Sequence, residues 1–312
     1  MRALVIGGAG FIGVAACKEL MRRGVETIAA GRTSKPYGTF TSHIAFDRRE
    51  PEQLRAALER VRPDVIVDLA AYQPAEVTSI LDVLGSARYV FVSTGVYPDD
   101  FGARPAREAD FVPLPGPVPA ERQEYRQGKR WCETVLARSR AVDWISIRPG
   151  AVLGPDDHTL RIAAYIERVE DGGPLLVPEE SFERQAGLTW VRDAGMALAL
   201  ACDPGAPSGA YNVAFEGVSL KNLIEAVARA LGLPALIRPV PFAQLPDGAS
   251  PYGPDPRRSA GYDLSRSREA LGFRPGALED ALAETLAWYR VRRPSHPGYA
   301  GREAELRLAG GA

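Results

Sequence analysis

The sequence predicts an α/β fold, with a doubly wound parallel sheet, helices on both faces and a smaller C-terminal lobe. Three observations lead to this prediction. Short apolar segments alternate with segments of helical periodicity through the first 150 residues, a glycine-rich turn follows the first apolar segment, and the second half is less regular. Strands that alternate with helices are typical of parallel sheets with right-handed crossovers. The expected strands are 2–6, 25–30, 64–69, 88–92 and 143–148.

The helices are predicted from apolar periodicity and from residues suited to helix starts. Pro51 fits a first helical position, and Leu54 and Leu58 recur at helical spacing after it. Asp193 and Ser219 are residue types that cap helix N-termini. Helices are therefore expected at 11–23, 51–60, 73–84, 121–138, 193–202, 219–232 and 277–290.

The composition is ordinary for a globular protein and has no dominant charge. Hydrophobic residues make up 46% of the chain, and 38 Lys and Arg residues against 39 Asp and Glu residues leave a formal net charge of −1. This balance excludes a general attraction to nucleic acid or acidic membranes, and the apolar runs are shorter than the ~20 residues that cross a bilayer. Cys17, Cys132 and Cys202 lie far apart, so no disulfide framework or zinc site is expected. We expect a cytoplasmic protein with a small-molecule substrate, no nucleic-acid partner and no membrane segment.

A phosphate-binding loop is predicted directly after the first strand. The segment GGAGFIG spaces Gly7, Gly10 and Gly13 as G-x-x-G-x-x-G. In a dinucleotide-binding loop the first glycine turns the chain, the second lets the backbone approach a pyrophosphate, and the third lets the helix pack on the strand. The helix that follows presents its N–H groups to the phosphates. The loop therefore predicts a Rossmann-type fold, with Phe11 and Ile12 beside the cofactor.

The end of the second predicted strand favours NADP(H), with NAD(H) as the alternative. An NAD-binding protein of this type places a carboxylate there to bind the ribose 2′-hydroxyl, but this chain has Arg32, followed by Lys35. A guanidinium binds a 2′-phosphate through charge-assisted hydrogen bonds, whereas a carboxylate repels it. The other interpretation is that Arg32 and Lys35 belong to a solvated loop.

Tyr125 and Lys129 form a Y-x-x-x-K motif on the helix predicted over 121–138. Residues i and i+4 share a helix face, and a nearby ammonium lowers the pKa of a phenol below its usual ~10. Such a tyrosine exchanges a proton with a carbonyl or alcohol oxygen. Ser93 and Thr94 follow a predicted strand, where hydroxyls lie at the ligand crevice of a doubly wound sheet. The alternatives are a surface Tyr–Lys pair, and hydroxyls that bond only to the backbone.

These motifs occur in one order along the chain, and together they resemble the extended short-chain dehydrogenase/reductases, the NAD-dependent epimerase/dehydratase family. The resemblance is carried by GGAGFIG at 7–13, ST at 93–94, YRQGK at 125–129 and RPGAVLGP at 148–155. It continues through VRDAGMALALA, YNVA and LGFRP, to about residue 290. It implies a Rossmann-type fold and an NAD(P)-dependent enzyme.

The resemblance also implies a role for each matching residue. Tyr125 is implied to be the acid/base, and Lys129 to bind the nicotinamide ribose and tune Tyr125. Thr94 or Ser93 is the implied hydroxyl partner, and the choice stays open because the segment before Val96 is one residue shorter than the usual pattern. Further cofactor contacts are implied at Asp47, Arg48, Leu69, Ala70, Ala71, Pro149, Ala151 and Val152.

The chain departs from the nucleotide-sugar members of this family at one position. Where those members carry an arginine, this chain has Ala186, with Arg184 nearby. A diphosphate needs a cation there, so an oxidoreductase acting on a small-molecule carbonyl or alcohol is favoured. The alternatives are a nucleotide-sugar epimerase, dehydratase or 4-keto reductase that retains its cofactor, and a non-catalytic dinucleotide sensor or RNA-binding scaffold. His158 either contacts substrate or belongs to a helix start with Thr159.

The predicted division of the chain follows these motifs. Residues 1–154 and 187–232 are expected to form the NAD(P)-binding domain, and residues 155–186 and 233–290 a substrate-binding lobe over the nicotinamide end. The polar tail, 291–312, is expected to be either loosely held or an interface arm, which leaves a homodimer open.

Overall fold

The computed structural model describes residues 1–32, 40–97, 104–247, 249 and 261–310. Its strands are β1 (Arg2–Ile6), β2 (Glu26–Gly31), β3 (Ser42–Ala45), β4 (Val65–Asp68), β5 (Arg88–Val92), β6 (Trp144–Pro149), β7 (Ala151–Leu153), β8 (Leu175–Pro178), β9 (Leu188–Trp190), β10 (Gly209–Val213) and β11 (Ile237–Val240). Seven strands form one parallel sheet in the order β10-β6-β5-β4-β1-β2-β3, and the pairs β8–β11 and β7–β9 are separate. This architecture confirms the predicted Rossmann-type α/β fold.

The helices lie where the periodicity predicted them, with additions in the second half. They are α1 (Phe11–Arg22), α2 (Pro51–Val61), α3 (Pro74–Leu81), α4 (Tyr125–Arg138), α5 (Arg161–Glu170), α6 (Val191–Ala201), α7 (Leu220–Leu231), α8 (Ser265–Ala270), α9 (Leu278–Arg292) and α10 (Arg302–Gly310). The additional helices are α5, α8 and α10, which the periodicity did not predict. The longest of these helices, α9, has 15 residues, and within the described ranges none is long and apolar enough to cross a membrane.

Two helix starts differ from the prediction. Helix α4 begins at Tyr125 rather than at 121, because the Gln73 side chain accepts from the N–H of Gln123 and donates to its carbonyl, at 2.8 and 3.0 Å. Helix α6 begins before Asp193, whose carboxylate accepts from the N–H of Gly276 instead of capping the helix. The predicted cap at Ser219 is confirmed, since its hydroxyl accepts from a backbone N–H of the first turn of α7.

The sheet is buried on both faces because its strands are apolar at successive positions. In β1, Val5 points to the face covered by α1 and α6, and Leu4 to the face covered by α2, α3 and α4. Helices α1 and α6 approach closely at Gly195, where a Cβ would lie 2.6 Å from the backbone of Ala15. A third apolar core joins α5, α7 and α9. The division of the chain at 154, 187 and 232 stays a prediction.

The described part of the C-terminal tail is anchored against α5. Glu305 of α10 is 1% exposed and accepts from Arg168 at 2.9 and 2.5 Å and from Arg302 at 2.8 Å. Arg302 also donates to Asp171 at 2.7 Å. The expectation of a loosely held tail is therefore wrong for residues 302–310, since buried ion pairs need fixed partners.

Candidate active site

A cavity of about 1010 Å³ opens at the carboxyl ends of the parallel strands. This is where ligands bind in doubly wound sheets, and the volume is that of a ligand site. Its wall combines the start of α1, the segment after β5, the first turn of α4, and the connection from β6 to β7. The predicted site residues that line it are Phe11, Ile12, Leu69, Ser93, Thr94, Tyr125, Lys129, Pro149, Ala151 and Val152.

The glycine loop has the geometry of a phosphate cradle. Gly7 has φ +86°, a conformation that favours glycine. A Cβ on Gly13 would lie 2.1 Å from the carbonyl oxygen of Gly7, so only glycine allows α1 to start so close to the turn. Gly10 precedes α1, and no side chain caps that helix. The free N–H groups of the first turn are thus left for an anion, and the loop fits a dinucleotide.

The loop beyond β2 is described only in part. Arg32 is exposed directly after the strand, and Lys35 lies outside the described residues. Asp47 pairs with Arg49 at 2.5 Å. That hydrogen bond, with a contribution from the charge of Arg32, holds the pKa of Asp47 well below its usual range. Arg32 therefore lies near enough to Asp47 for its charge to act on that carboxylate.

Arg48 is not presented to the cavity as the resemblance implied. Its Nη1 donates to both carboxylate oxygens of Asp68, at 2.5 and 2.6 Å, and its Nη2 donates to the carbonyl of Glu76. Asp68 also accepts from the hydroxyl of Tyr89 and from the N–H of Ala70. Burial raises the pKa of Asp68, but the charge and hydrogen bonds of Arg48 outweigh it and the pKa is lowered. The Arg48 side chain is thus buried and holds Asp68, the last residue of β4, in place.

The segment after β4 lies between the glycine loop and α4. A Cβ on Gly7 would meet Leu69 at 3.3 Å, so Leu69 packs on the loop. Ala70 is half-buried and Ala71 is fully buried. The carbonyl of Ala71 accepts from Lys129. This segment therefore connects the phosphate cradle to the predicted catalytic helix.

Tyr125 is the first residue of α4 and is 54% exposed on the cavity wall. Partial burial raises its pKa, while a side-chain hydrogen bond with Thr94 and the charge of Arg161 act in the opposite direction. The phenol is therefore protonated at neutral pH. Thr94 is therefore near enough to act on the Tyr125 phenol, and Ser93 lines the same cavity.

Ser93 is 2% exposed, and its hydroxyl has no hydrogen-bond partner in the described part of the chain. Its backbone N–H donates to the carbonyl of Ile147 at 2.8 Å, which fixes the residue beside β6. Buried hydroxyls are normally bonded, and Ser93 lines the cavity. An unsatisfied donor at this place fits an oxygen of a bound ligand.

Lys129 is 2% exposed and lies one turn after Tyr125. Its Nζ donates to the carbonyls of Ala71 and Val92, both at 2.7 Å. It lies 4.6 Å from the ring centre of Tyr72 and 4.7 Å from that of Phe91. Burial lowers its pKa to about 8. The ammonium thus links the segments that follow β4 and β5 to α4. The charge that lowers the Tyr125 pKa is that of Arg161, and not that of Lys129 as the resemblance implied.

Comparison with known proteins identifies the family. The model of the NAD dependent epimerase/dehydratase family matches residues 3–214. This chain belongs to that family. It is 27% identical to a dTDP-6-deoxy-L-talose 4-dehydrogenase (NAD(P)(+)) of Kitasatospora kifunensis, over 91% of this chain and 94% of that protein. The resemblance seen in the motifs is confirmed, and the chain is an NAD(P)-dependent enzyme.

Two other similarities cover the same fold. The chain is 26% identical to the chloroplast stem-loop binding protein of 41 kDa b of Arabidopsis thaliana, over 75% of this chain but only 64% of that protein. The structure of UDP-glucose 4-epimerase from Thermus thermophilus, a complex with NAD, has 25% identity and a TM-score of 0.67 and covers 94% of this chain and 100% of that one. This epimerase/dehydratase chain therefore shares its fold with enzymes that hold a nicotinamide dinucleotide.

Several cavity residues were missed by sequence reasoning. Arg126, Arg161 and Tyr262 line the cavity together with Arg184 and His158. Gly95 leaves room for Tyr262, because a Cβ on it would lie 2.5 Å from the Tyr262 hydroxyl. Burial raises the Tyr262 pKa to about 12, so this phenol is a neutral donor. Nothing in the local sequence around Arg161 or Tyr262 signals a site, since only the fold brings these two residues to the cavity.

The segment before α5 contains His158 and Thr159, for which the sequence left open either a substrate contact or a helix start. Asp157, and not Thr159, organises the helix start, because its carboxylate accepts from the N–H of Thr159 at 2.9 Å and from that of Arg161 at 3.2 Å. The His158 ring meets the ring of Phe11 edge-on, with 6.4 Å between centres. His158 thus lies on the cavity wall beside the glycine loop.

Proposed function

We propose that this enzyme transfers a hydride between NADP(H) and a small-molecule carbonyl or alcohol, with Tyr125 as the acid/base. One observation carries the proposal: the Tyr125 phenol and Thr94 lie together on the wall of the cavity that reaches the start of α1. A protonated phenol there is a proton donor for a carbonyl oxygen.

Three side chains, those of Tyr125, Thr94 and Ser93, have separate roles in the proposed hydride transfer. A bound nicotinamide would supply or accept the hydride. In reduction, Tyr125 gives its proton to the carbonyl oxygen as the C–H bond forms, and it regains a proton from solvent at its exposed edge. Thr94 positions the Tyr125 phenol, and the Ser93 hydroxyl donates a hydrogen bond to the substrate carbonyl oxygen. Oxidation reverses each proton movement.

We also propose that the adenosine end prefers NADP(H). The guanidinium of Arg32 is exposed where an NAD-specific protein would carry a carboxylate. The Asp47 carboxylate, which lies within reach of the Arg32 charge, also supports this preference. Its negative charge is offset by Arg49 at 2.5 Å, so it would repel a 2′-phosphate less than an unpaired carboxylate would. A 2′-phosphate would then bind the guanidinium through charge-assisted hydrogen bonds.

A nucleotide-sugar substrate is the second candidate. It is favoured by the relative named dTDP-6-deoxy-L-talose 4-dehydrogenase, because the match covers 94% of that protein. Its chemistry would be the same hydride transfer at an alcohol carbon. An RNA-binding role is less well supported, since the net charge of −1 gives no general attraction to a polyanion.

The test measures nicotinamide absorbance with two substrates, dTDP-6-deoxy-L-talose plus NADP⁺ and acetoacetate plus NADPH. We expect turnover with at least one of them, and a loss of about 10²–10⁴-fold in Tyr125→Phe because general acid catalysis is removed. Tyr299→Phe is the matched control, since that hydroxyl donates to Asp171 away from the cavity. Wild-type turnover in Tyr125→Phe would overturn the proposed role.

A further inference from the structure

Arginines dominate the part of the cavity beyond Tyr125. Arg126, Arg161 and Arg184 line it, and its acidic residues are Glu124 and Asp157. Glu124 is exposed at the rim. Asp157 is buried, and its carboxylate already accepts from Thr159 and from the backbone of α5. Three guanidinium groups and two carboxylates therefore line this part of the cavity.

Arg161 begins α5 and keeps hydrogen-bond donors for a ligand. Its protein contacts run through Nη1, which donates to the carbonyl of Val152 at 3.2 Å and to the hydroxyl of Thr159, and lies 3.6 Å from Asp157. Its Nε is buried and has no partner among the residues that the structure describes. The side chain is 24% exposed. Because a guanidinium has five donors, this one is only partly satisfied.

Arg161 also faces the reacting centre. Its charge acts on the Tyr125 hydroxyl, and both side chains line the same cavity. Arg184 reaches this space from the loop between β8 and β9, where its N–H donates to the carbonyl of Ser181. Ala186, by contrast, packs against the apolar core beside β9. The two arginines thus come from different elements and converge on one wall.

We propose that Arg161 and Arg184 form an oxyanion-binding site in the substrate half of the cavity. The substrate of the proposed reaction then carries a carboxylate or a phosphate beside its carbonyl or alcohol. Both groups pair with guanidinium through charge-assisted, often bidentate, hydrogen bonds. A neutral substrate would leave the buried Nε of Arg161 unpaired, which is unfavourable. The identity of the substrate rests on the proposed function, but the anion site does not.

The experiment measures binding by calorimetry to the enzyme saturated with NADP⁺, which fills the phosphate cradle of the glycine loop and cannot reduce a carbonyl probe. The probes are dTDP and acetoacetate, with thymidine and acetone as their uncharged counterparts. We expect one charged probe to bind at least tenfold more tightly than its counterpart. Binding of dTDP alone assigns the anion as a phosphate, and binding of acetoacetate alone assigns it as a carboxylate.

Variants locate the site. Arg161→Gln and Arg184→Gln should each weaken binding of the charged probe about 10- to 100-fold, the effect of one charged hydrogen bond. Arg229→Gln, on the exposed face of α7, should bind as wild type does. Thermal unfolding and NADPH affinity report whether each variant is folded, and Arg161→Lys should restore part of the affinity if Arg161→Gln is unstable.

Each result decides one of the two proposals. Charged probes that bind no better than the uncharged ones overturn the site, as does wild-type affinity in both Arg161→Gln and Arg184→Gln. Anion binding that needs both arginines, in an enzyme that turns over neither substrate, supports the site and counts against the proposed function instead.

Discussion

Gly128 of α4 packs directly against the backbone of Tyr72, so closely that a Cβ on Gly128 would lie 2.2 Å from the Tyr72 carbonyl oxygen. This contact sets α4 beside the segment that follows β4. The next residue, Lys129, then reaches the carbonyl of Ala71. The glycine within the YRQGK motif therefore decides where α4 lies.

Gly128→Ala should displace α4 and disturb both Tyr125 and Lys129. Backbone cannot yield as a flexible side chain can, so we expect a destabilisation of about 1–3 kcal/mol and a loss of most NADPH affinity. The measurements are thermal unfolding and NADPH titration. Gly205→Ala is the matched control, because a Cβ there meets nothing within 4 Å. Equal behaviour of the two variants would contradict the proposed contact.

Lys129 should make cofactor binding depend on pH. Burial lowers its pKa to about 8, so the ammonium is charged below that pH and neutral above it. Attraction to an anionic dinucleotide is then present at low pH and is lost as the pH rises through about 8. We expect NADPH affinity of the wild type to fall across this range. Lys129→Met should bind NADPH weakly at every pH, and a wild-type profile that is flat through pH 8 would refute the role.

Arg32→Ala should reduce the preference for NADPH over NADH. A charged hydrogen bond is worth about 1.5–3 kcal/mol, or roughly 10- to 100-fold in affinity. We expect the wild type to bind NADPH at least tenfold more tightly than NADH at moderate salt, and Arg32→Ala to bind the two nearly equally through a loss in NADPH affinity alone. Titration of both cofactors against both proteins measures this. Equal affinities in the wild type would mean that Arg32 is a solvated residue only.

The sequence was informative where local patterns carry the structure. Apolar alternation and the glycine spacing predicted β1, α1 and the cradle at Gly7, because those features depend on neighbours in the chain. The pairing of Arg48 with Asp68 could not be predicted from the sequence, because 20 residues separate them and only the fold brings them together. The convergence of Arg161, Arg184 and Tyr262 on one cavity escaped prediction for the same reason.

The start of α4 shows a second limit. Periodicity extended the helix back to 121, but the side chain of Gln73 binds the backbone of Gln123 and holds it outside the helix. A contact across 50 residues thus overrides a local preference. It also makes Tyr125 the first residue of the helix, where its side chain is free to lie along the cavity wall.

Asp193 should make folding stability depend on pH. It is 3% exposed at the start of α6, and burial raises its pKa to about 6, opposed by a hydrogen bond from the N–H of Gly276 at 3.0 Å. Because the folded pKa exceeds the unfolded value of about 3.9, its stabilising contribution is fully present below about pH 4 and is lost as the pH rises from there through about 6. Asp193→Asn keeps an acceptor for Gly276 and carries no charge. We expect the free energy of unfolding of Asp193→Asn to exceed that of the wild type by on the order of 3 kcal/mol at about pH 8, and by much less at about pH 4. Urea unfolding at both pH values measures this difference, with Asp280→Asn, an exposed carboxylate of α9, as the control. A difference that is the same at both pH values would show that the Asp193 carboxyl is not desolvated in the folded protein.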